Sequence, residues 1–559
     1  MELRRRSMSP PVFEAPYPNW GTRGMTACDH PQAATAAAEV LAGGGNAVDA
    51  AVTLSLTLGV LCPQYTGIGG GGFMMVWLPE MERPVVLDYR ETAPGAAYPG
   101  MYSARAQASA RGPLAIGVPG TMAGLAALLE RFGTISMERA LAPGIELAEK
   151  GFAYYPNLRR ILLARRKLIS IYKEAARIFL GPSREGPRPG DVLRQPDLAR
   201  TYRRLAQKGW RDFYEGETAE LMVREMKRSG GILSAEDLSA YQPIWREPLS
   251  GVYRGQEIYV LPPPSGGGIQ LLQMLGILEP FRFSPSRMGS SQTYHLQAEA
   301  MKIAFAERST WVADPAFFPV PVEAMLDPAR IAELHVLVNP KEASSVGDLP
   351  PLPDLPLTAP ERTAVGTGGT ASFAAADARG GLAVATESIN LWFGSMVVPA
   401  GTGFVMNDIM DDFSRRPGTP DAFGLVSSRA NQVEPGKRPA SSSCPVIVAR
   451  EDQPYLALGS AGGPRIPTSV LQILMNLIDH QSNLRQAQDA PRVHHQWLPD
   501  ETHVEKAVPE DVRRGLRQLG HRVLEGPNRS HSAAVMWSES EQIFYGAGDF
   551  RSGGAAAGV

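Results

Sequence analysis

The residues best suited to chemistry are Gly368, Gly369 and Thr370, which open the stretch GGTASFAAAD ending at Asp377. A hydroxyl behind two glycines faces a carbonyl that no side chain shields. It can add to the Gly369 carbonyl, shift the peptide bond to an ester, and on hydrolysis leave a chain that begins at Thr370. The freed α-amine, with a pKa of about 8, can then serve as the base for its own hydroxyl. Gly-Gly-Thr is also common in loops, and read alone Thr370 is an ordinary strand-entry threonine. The rest of the chain has to reverse that reading.

The elements around Thr370 are legible. Pro350 to Gly369 is rich in Pro, Gly and Thr and reads as a solvated linker. After it Ser372, Ala374 and Ala376 alternate with Phe373 and Ala375, the period of a strand. Gly380-Gly381 then turns the chain into Leu382 to Phe393, a hairpin partner. The hydroxyl therefore sits where a flexible segment enters a sheet.

Composition bounds the rest. The 559 residues have length for two or three domains or one large layered enzyme, and 44% hydrophobic content supports a substantial core. A net charge of -2 gives no electrostatic reason to expect nucleic acid or an anionic membrane as partner. Cys28, Cys62 and Cys444 are odd in number and far apart, which supports neither a disulfide framework nor zinc. The N-terminal stretch MELRRRSMSPPVFEAPYPNW has arginines but no apolar core, so no secretory signal is expected. Ala50 to Cys62, the longest apolar run, is too short to span a bilayer. The expectation is a soluble, cytoplasmic protein, periplasmic or extracellular if a leader has been removed.

Along the chain, Pro31 to Leu41 reads as a helix stopped by Gly43-Gly44-Gly45, and Asn46 as the cap of a second helix reaching Val60. Gly67 to Phe73 contains G-x-G-x-x-G, but the order is helix, glycines, strand, the reverse of a dinucleotide site. Met74 to Leu78 and Leu114 to Val118 read as strands, with a helix from Pro119-Gly120 to Arg131. Two or three helices are expected over 136–229, where Arg159, Arg160, Arg165, Arg166 and Lys167 form the solvated face of one. Residues 181–195 read as a loop, Tyr253 to Leu261 as a strand, and Ile269 to Leu278 and Ser291 to Val312 as helices. Beyond Thr370 short strands predominate, around a helix from Ser469 to Asp479. The pattern predicts a layered α/β/β/α sandwich whose two halves share sheets. His494-His495 is an adjacent pair, and chain neighbours seldom face one metal.

Eight stretches, in order, carry a resemblance: HPQAATAAAEVLAGGGNAVDAAV, GIGGGGFMMV, LDYRETAP, GVPGTMAGL, LPPPSGGGIQLLQML, VPAGTGFVMNDIMDDFS, GKRPASSSCPVIV and LGSAGGPRIPT. Together they resemble the γ-glutamyltransferase (γ-glutamyl transpeptidase) family of N-terminal nucleophile hydrolases, from about Gly24 to Gly558. The resemblance implies a four-layer αββα fold and no metal or organic cofactor. It also implies self-cleavage into a large chain, 1–369, and a small catalytic chain, 370–559. By resemblance Thr370 is the nucleophile, Ser388 a hydroxyl that bonds it, and Gly462 and Gly463 the oxyanion hole. Arg90, Ser441 and Ser442 hold the substrate α-carboxylate, a task that suits a guanidinium fork. Asn390 and Asp412 receive the α-amine.

The implied activity is hydrolysis or transfer of γ-glutamyl groups, from glutathione and related amides to water or an amine. Two departures bear on it. The family's Thr-Thr-His is Thr370-Ala371-Ser372 here, and its Glu or Gln before Met-Asp-Asp-Phe is Ile409, one acceptor fewer for the ammonium. Ile409 favours an alternative, an acylase of the same family acting on glutaryl-type or other small amides such as cephalosporin side chains. Ala371 and Ser372 raise another, a binding protein on this fold that has lost processing.

Overall fold

The computed structural model of the protein describes residues 17–181, 185–349, 368–527 and 530–559. The first 16 residues and most of the expected linker, 350–367, lie outside the described residues.

Two seven-stranded sheets stack face to face. The first runs Ala555–Gly558, Gly24–Cys28, Gly368–Asp377, Leu382–Leu391, Gly71–Trp77, Val85–Tyr89, Ile244–Arg246, all antiparallel. The second runs Asn19–Gly21, Ile543–Gly548, His531–Ser538, Gln453–Ala461, Val446–Arg450, Gln256–Val260, Leu249–Tyr253, also antiparallel. Each sheet draws strands from both sides of Thr370, and Gly368–Asp377 is central in its own.

Strand alternation builds the layers. Ala371, Phe373 and Ala375 enter the core shared with the helices Pro31–Ala42 and Ala47–Leu61, while Ala374 and Ala376 point into the core between the sheets. Helix Ala47–Leu61 is buried on every side, and Asn46 and Asp49 cap it reciprocally. On the far side Gly267–Leu278, Ser291–Trp311 and Arg465–Ile478 pack against Val446, Val448, Leu456 and Leu458. Phe373 is fully buried against the first helical layer. Its truncation to alanine would cost about 3–5 kcal/mol.

The four-layer αββα sandwich is thus present as expected, with local differences. Leu114 to Val118 is no strand: a 3-10 turn covers Pro113–Ala115, and Val118 makes one isolated bridge to Thr92. Residues 136–229 hold more helices than expected, because Pro156 and Pro196 each start a new one. Tyr253 to Leu261 is the turn and second strand of a hairpin, Leu249–Tyr253 with Gln256–Val260, reversing at Arg254-Gly255. Val192–Leu193 in the expected 181–195 loop forms a short strand with Phe152–Ala153. The basic helix Pro156–Ile169 buries Leu158, Ile161 and Leu162, yet not all its cations are simply solvated. The Arg160 and Arg165 guanidinium groups lie 5.4 and 5.8 Å from the Trp392 ring centroid.

Candidate active site

Thr370 owes its position to a β-bulge. Gly368 and Gly369 pair with Leu391 and Asn390, the register then slips, and Thr370 pairs with Ser388. Glycine is required at 369, since a Cβ there would stand 2.2 Å from the Leu391 carbonyl oxygen. Thr370 is 4% exposed and faces the space between the sheets.

The proton positions follow from the contacts. Ser388 Oγ lies 2.8 Å from the Gly369 carbonyl oxygen, 2.8 Å from Asn390 N and 3.1 Å from Thr370 Oγ1. A serine hydroxyl has one proton and two lone pairs. The Asn390 amide must donate to it and the carbonyl can only accept, so Ser388 spends its proton on Gly369. The remaining lone pair takes the Thr370 proton. The Thr370 hydroxyl is thereby aimed at Ser388, and Ser388 polarises the Gly369 carbonyl.

Gly462 and Gly463 follow strand Gln453–Ala461 and lead into helix Arg465–Ile478. Gly463 has φ +61°, and a Cβ there would meet the Phe423 ring at 2.8 Å. A Cβ on Gly368 would lie 3.2 Å from Gly463 N, so this amide abuts the chain just ahead of Thr370. The helix adds its positive end at the same place.

Arg90 leaves the end of strand Val85–Tyr89. Its Nη2 donates to Asp412 Oδ2 at 2.5 Å and to the Ala440 carbonyl at 3.2 Å, and its Nε reaches the Pro439 carbonyl at 3.5 Å. Asp412 ends a 3-10 turn that begins at Ile409. Burial raises its carboxyl above the ordinary range, and Arg90 opposes that. Ser441 is held by backbone bonds on both sides, N to the Pro264 carbonyl and O from Gly266 N, each 2.9 Å. Its Oγ donates to Ser443 Oγ at 3.0 Å. The Asn390 amide nitrogen donates to the Asp408 carbonyl at 3.0 Å, which leaves its oxygen as the free acceptor.

Eight of the nine residues singled out in the sequence line one cavity: Thr370, Ser388, Arg90, Asn390, Asp412, Ser441, Ser442 and Gly463. Gly462 adjoins it through Gly463. The cavity measures about 30 Å³, space for little more than one water in the continuous chain.

Several neighbours were assigned no role in the sequence. Glu387 sits opposite Ala371, accepts hydrogen bonds from Ser55, Tyr89 and Thr66, and is pushed up to about 7 by burial against those bonds. Glu91 is likewise pushed up to about 7 by burial, with Arg90 opposing. Arg308, Asp421 and Phe423 also line the cavity. Buried polar residues distant in the chain leave no local pattern, so no periodicity could have found them.

The departures have a structural setting. Ser372 Oγ lies against Gly459 of the facing sheet, where a Cβ would stand only 2.3 Å away. Ser372 N donates to Asp29, which is ion-paired with His531 at 2.6 Å. Ile409 is fully buried against Gly117. His494 bonds Thr468 and Gln496 while His495 bonds Asp500, so the pair serves separate networks. His295, Glu299 and His521 cluster elsewhere, but the two histidines bond each other, Asn339 and Thr502, and the Glu299 oxygens accept from Lys302 and Ser344. No described helix is long and apolar enough to cross a membrane.

A stacked antiparallel sandwich with a buried threonine on a central strand, its hydroxyl wired to the preceding carbonyl, defines the class of N-terminal nucleophile hydrolases. A cephalosporin acylase from Bacillus halodurans has the same fold, with TM-score 0.86, 28% identity, and coverage of 100% of this chain and 99% of that one. The Gamma-glutamyltranspeptidase family model matches residues 33–559, and the chain belongs to that family. The glutathione hydrolase proenzyme of Escherichia coli (strain K12) is 35% identical over 541 residues, covering 96% of this chain and 92% of that protein. The acylase ACY 1 proenzyme of Pseudomonas sp. (strain V22) is also 35% identical, over 558 residues, covering 97% and 94%.

Proposed function

We propose that this chain is a self-cleaving precursor whose mature form hydrolyses or transfers γ-glutamyl groups. The observation that carries this reading is the hydroxyl relay from Thr370 through Ser388 to the Gly369 carbonyl. Thr370 Oγ1 attacks that carbonyl, the ester hydrolyses, and chains 1–369 and 370–559 result. Both sheets contain strands of each, hydrogen-bonded to one another, so the two chains remain one body. Departure of Gly368 and Gly369 from the Gly463 amide would open the cavity to substrate.

In the mature site the γ-glutamyl head is zwitterionic, as is the resting pair Arg90–Asp412. Its carboxylate takes Arg90 with the Ser441 and Ser442 hydroxyls, and its ammonium takes Asp412 and the Asn390 amide oxygen. Splitting one ion pair into two conserves the buried charge balance. Thr370 Oγ1 attacks the γ-carbonyl with its own amine as base, and the Gly462 and Gly463 amides hold the oxyanion, a contribution of about 3–4 kcal/mol per donor. Water or an acceptor amine then releases the acyl group. Glutathione is the donor suggested by the relatives called glutathione hydrolase proenzymes. The three cysteines are buried free thiols, compatible with a reducing compartment.

A second reading, an acylase for glutaryl-type amides, is favoured by Ile409 and by the acylase relatives. Mass spectrometry for a fragment beginning at Thr370, with turnover of γ-glutamyl and glutaryl anilides side by side, tests both. Thr370→Ala is expected to stay a 60.2 kDa chain without activity. An uncut wild-type chain that still turns over amides would sink the mechanism.

A further inference from the structure

Arg308 stands in the last turn of helix Ser291–Trp311, is 5% exposed, and lines the cavity with Arg90, Thr370 and Ser441. Among the described residues its side chain has neither a hydrogen-bond partner nor an ion pair, and Nε is buried without a partner. Other deeply buried cations are met: Lys302 by Glu299, Lys437 by Glu434 and the Ala430 carbonyl, Arg492 by Asp549. A buried cation without a counter-ion is costly, and an anionic ligand removes that cost.

Its surroundings fix which part of a ligand it meets. The Arg308 stem packs beneath Gly266, with Cγ 3.3 Å from where a Cβ would stand, and Gly266 N holds the Ser441 carbonyl. Arg308 therefore enters the cavity beside the loop that carries the serine hydroxyls. Arg90, at the same end, has spent Nη2 on Asp412 and Ala440, while Arg308 keeps all five guanidinium hydrogens for a ligand. The acidic side is less available. Asp412 is held by Arg90, and Asp421 Oδ1 accepts the amides of Phe423 and Leu425. Burial pulls the Arg308 guanidinium pKa down, with Asp421 and Asp412 opposing, and an arginine remains charged.

We propose that Arg308 is a second carboxylate-binding residue of the acyl pocket. Donors are then selected by an anionic end shared between two arginines, and an α-amine is dispensable. This rests on the hydrolase reading above and names the substrate class within it: acyl donors bearing a distal carboxylate, glutaryl as well as γ-glutamyl.

The test compares three anilides: γ-glutamyl with carboxylate and amine, glutaryl with carboxylate only, and 4-aminobutyryl with amine only. Wild-type KM for the first two is expected to agree within about tenfold. Arg308→Met should raise KM for both by roughly 10- to 100-fold, with kcat much less affected, and should lose far less on 4-aminobutyryl anilide. Arg308→Lys should recover part of the loss. Equal losses on all three donors, in protein that has matured to two chains, would overturn the proposal. If Arg308→Met does not fold, competition by glutarate and by glutamate against wild type decides. Similar inhibition is expected, and glutarate weaker by more than about 100-fold would overturn the proposal. A wild type that cleaves no anilide would instead overturn the hydrolase reading, while glutarate binding measured by calorimetry would still report on Arg308.

Discussion

Replacing Ser388 with alanine removes the hydroxyl that touches both Thr370 Oγ1, the proposed attacking oxygen, and the Gly369 carbonyl. The hydrogen bond to Gly369 O is already 2.8 Å in the ground state, so only its strengthening as charge develops counts toward the rate. One oxyanion donor is worth about 100- to 1,000-fold, and the ground-state bond puts Ser388→Ala toward the lower figure. The change also leaves Asn390 N and Gly369 O without the Ser388 oxygen, at roughly 1–3 kcal/mol each in stability. Conversion of the 60.2 kDa precursor is followed on gels, with urea unfolding in parallel. Ser388→Thr, which keeps a hydroxyl, is expected to mature far faster than the alanine variant. Maturation of Ser388→Ala at the wild-type rate would refute the relay.

Two further outcomes are expected. Arg90→Lys loses the fork that reaches Asp412, Ala440 and Pro439 together, so KM for γ-glutamyl anilide should rise by roughly 10- to 100-fold; an unchanged KM would remove Arg90 from the carboxylate site. Glu387→Gln tests linkage: burial lifts the folded carboxyl from 4.5 to about 7, so its stabilising contribution is full below about 4.5 and is lost as pH rises through 7. That loss is on the order of 3 kcal/mol, and glutamine, unable to ionise, escapes it. Unfolding curves at pH 5 and pH 8 should show the variant gaining relative to wild type at the higher pH, and parallel profiles would contradict the assignment.

Much of this was readable before any coordinates. Asn46 announced a capped helix, and the alternation after Thr370 announced a strand. Reading failed where tertiary contact outweighed local pattern. Leu114 to Val118 has the composition of a strand but finds one bridge partner, Thr92, so it closes as a turn. The hairpin at Arg254-Gly255 was read only in its second strand, because Leu249–Tyr253 is short and half exposed and gains its definition from pairing with Gln256–Val260.

By itself the order of residues determined the sandwich and singled out nine residues, eight of which line one cavity, because helix periods, strand alternation and ordered motifs are written locally. Only the folded chain decided how those groups are wired. Arg90 and Asp412 lie 322 positions apart and meet only when the first sheet and its loops close. The bulge that sets Thr370 against Ser388 is a property of pairing, not of either strand. Arg308 reads in the sequence as one more arginine on a helix; its meaning comes from burial beside a cavity with no partner, which is a fact about surroundings.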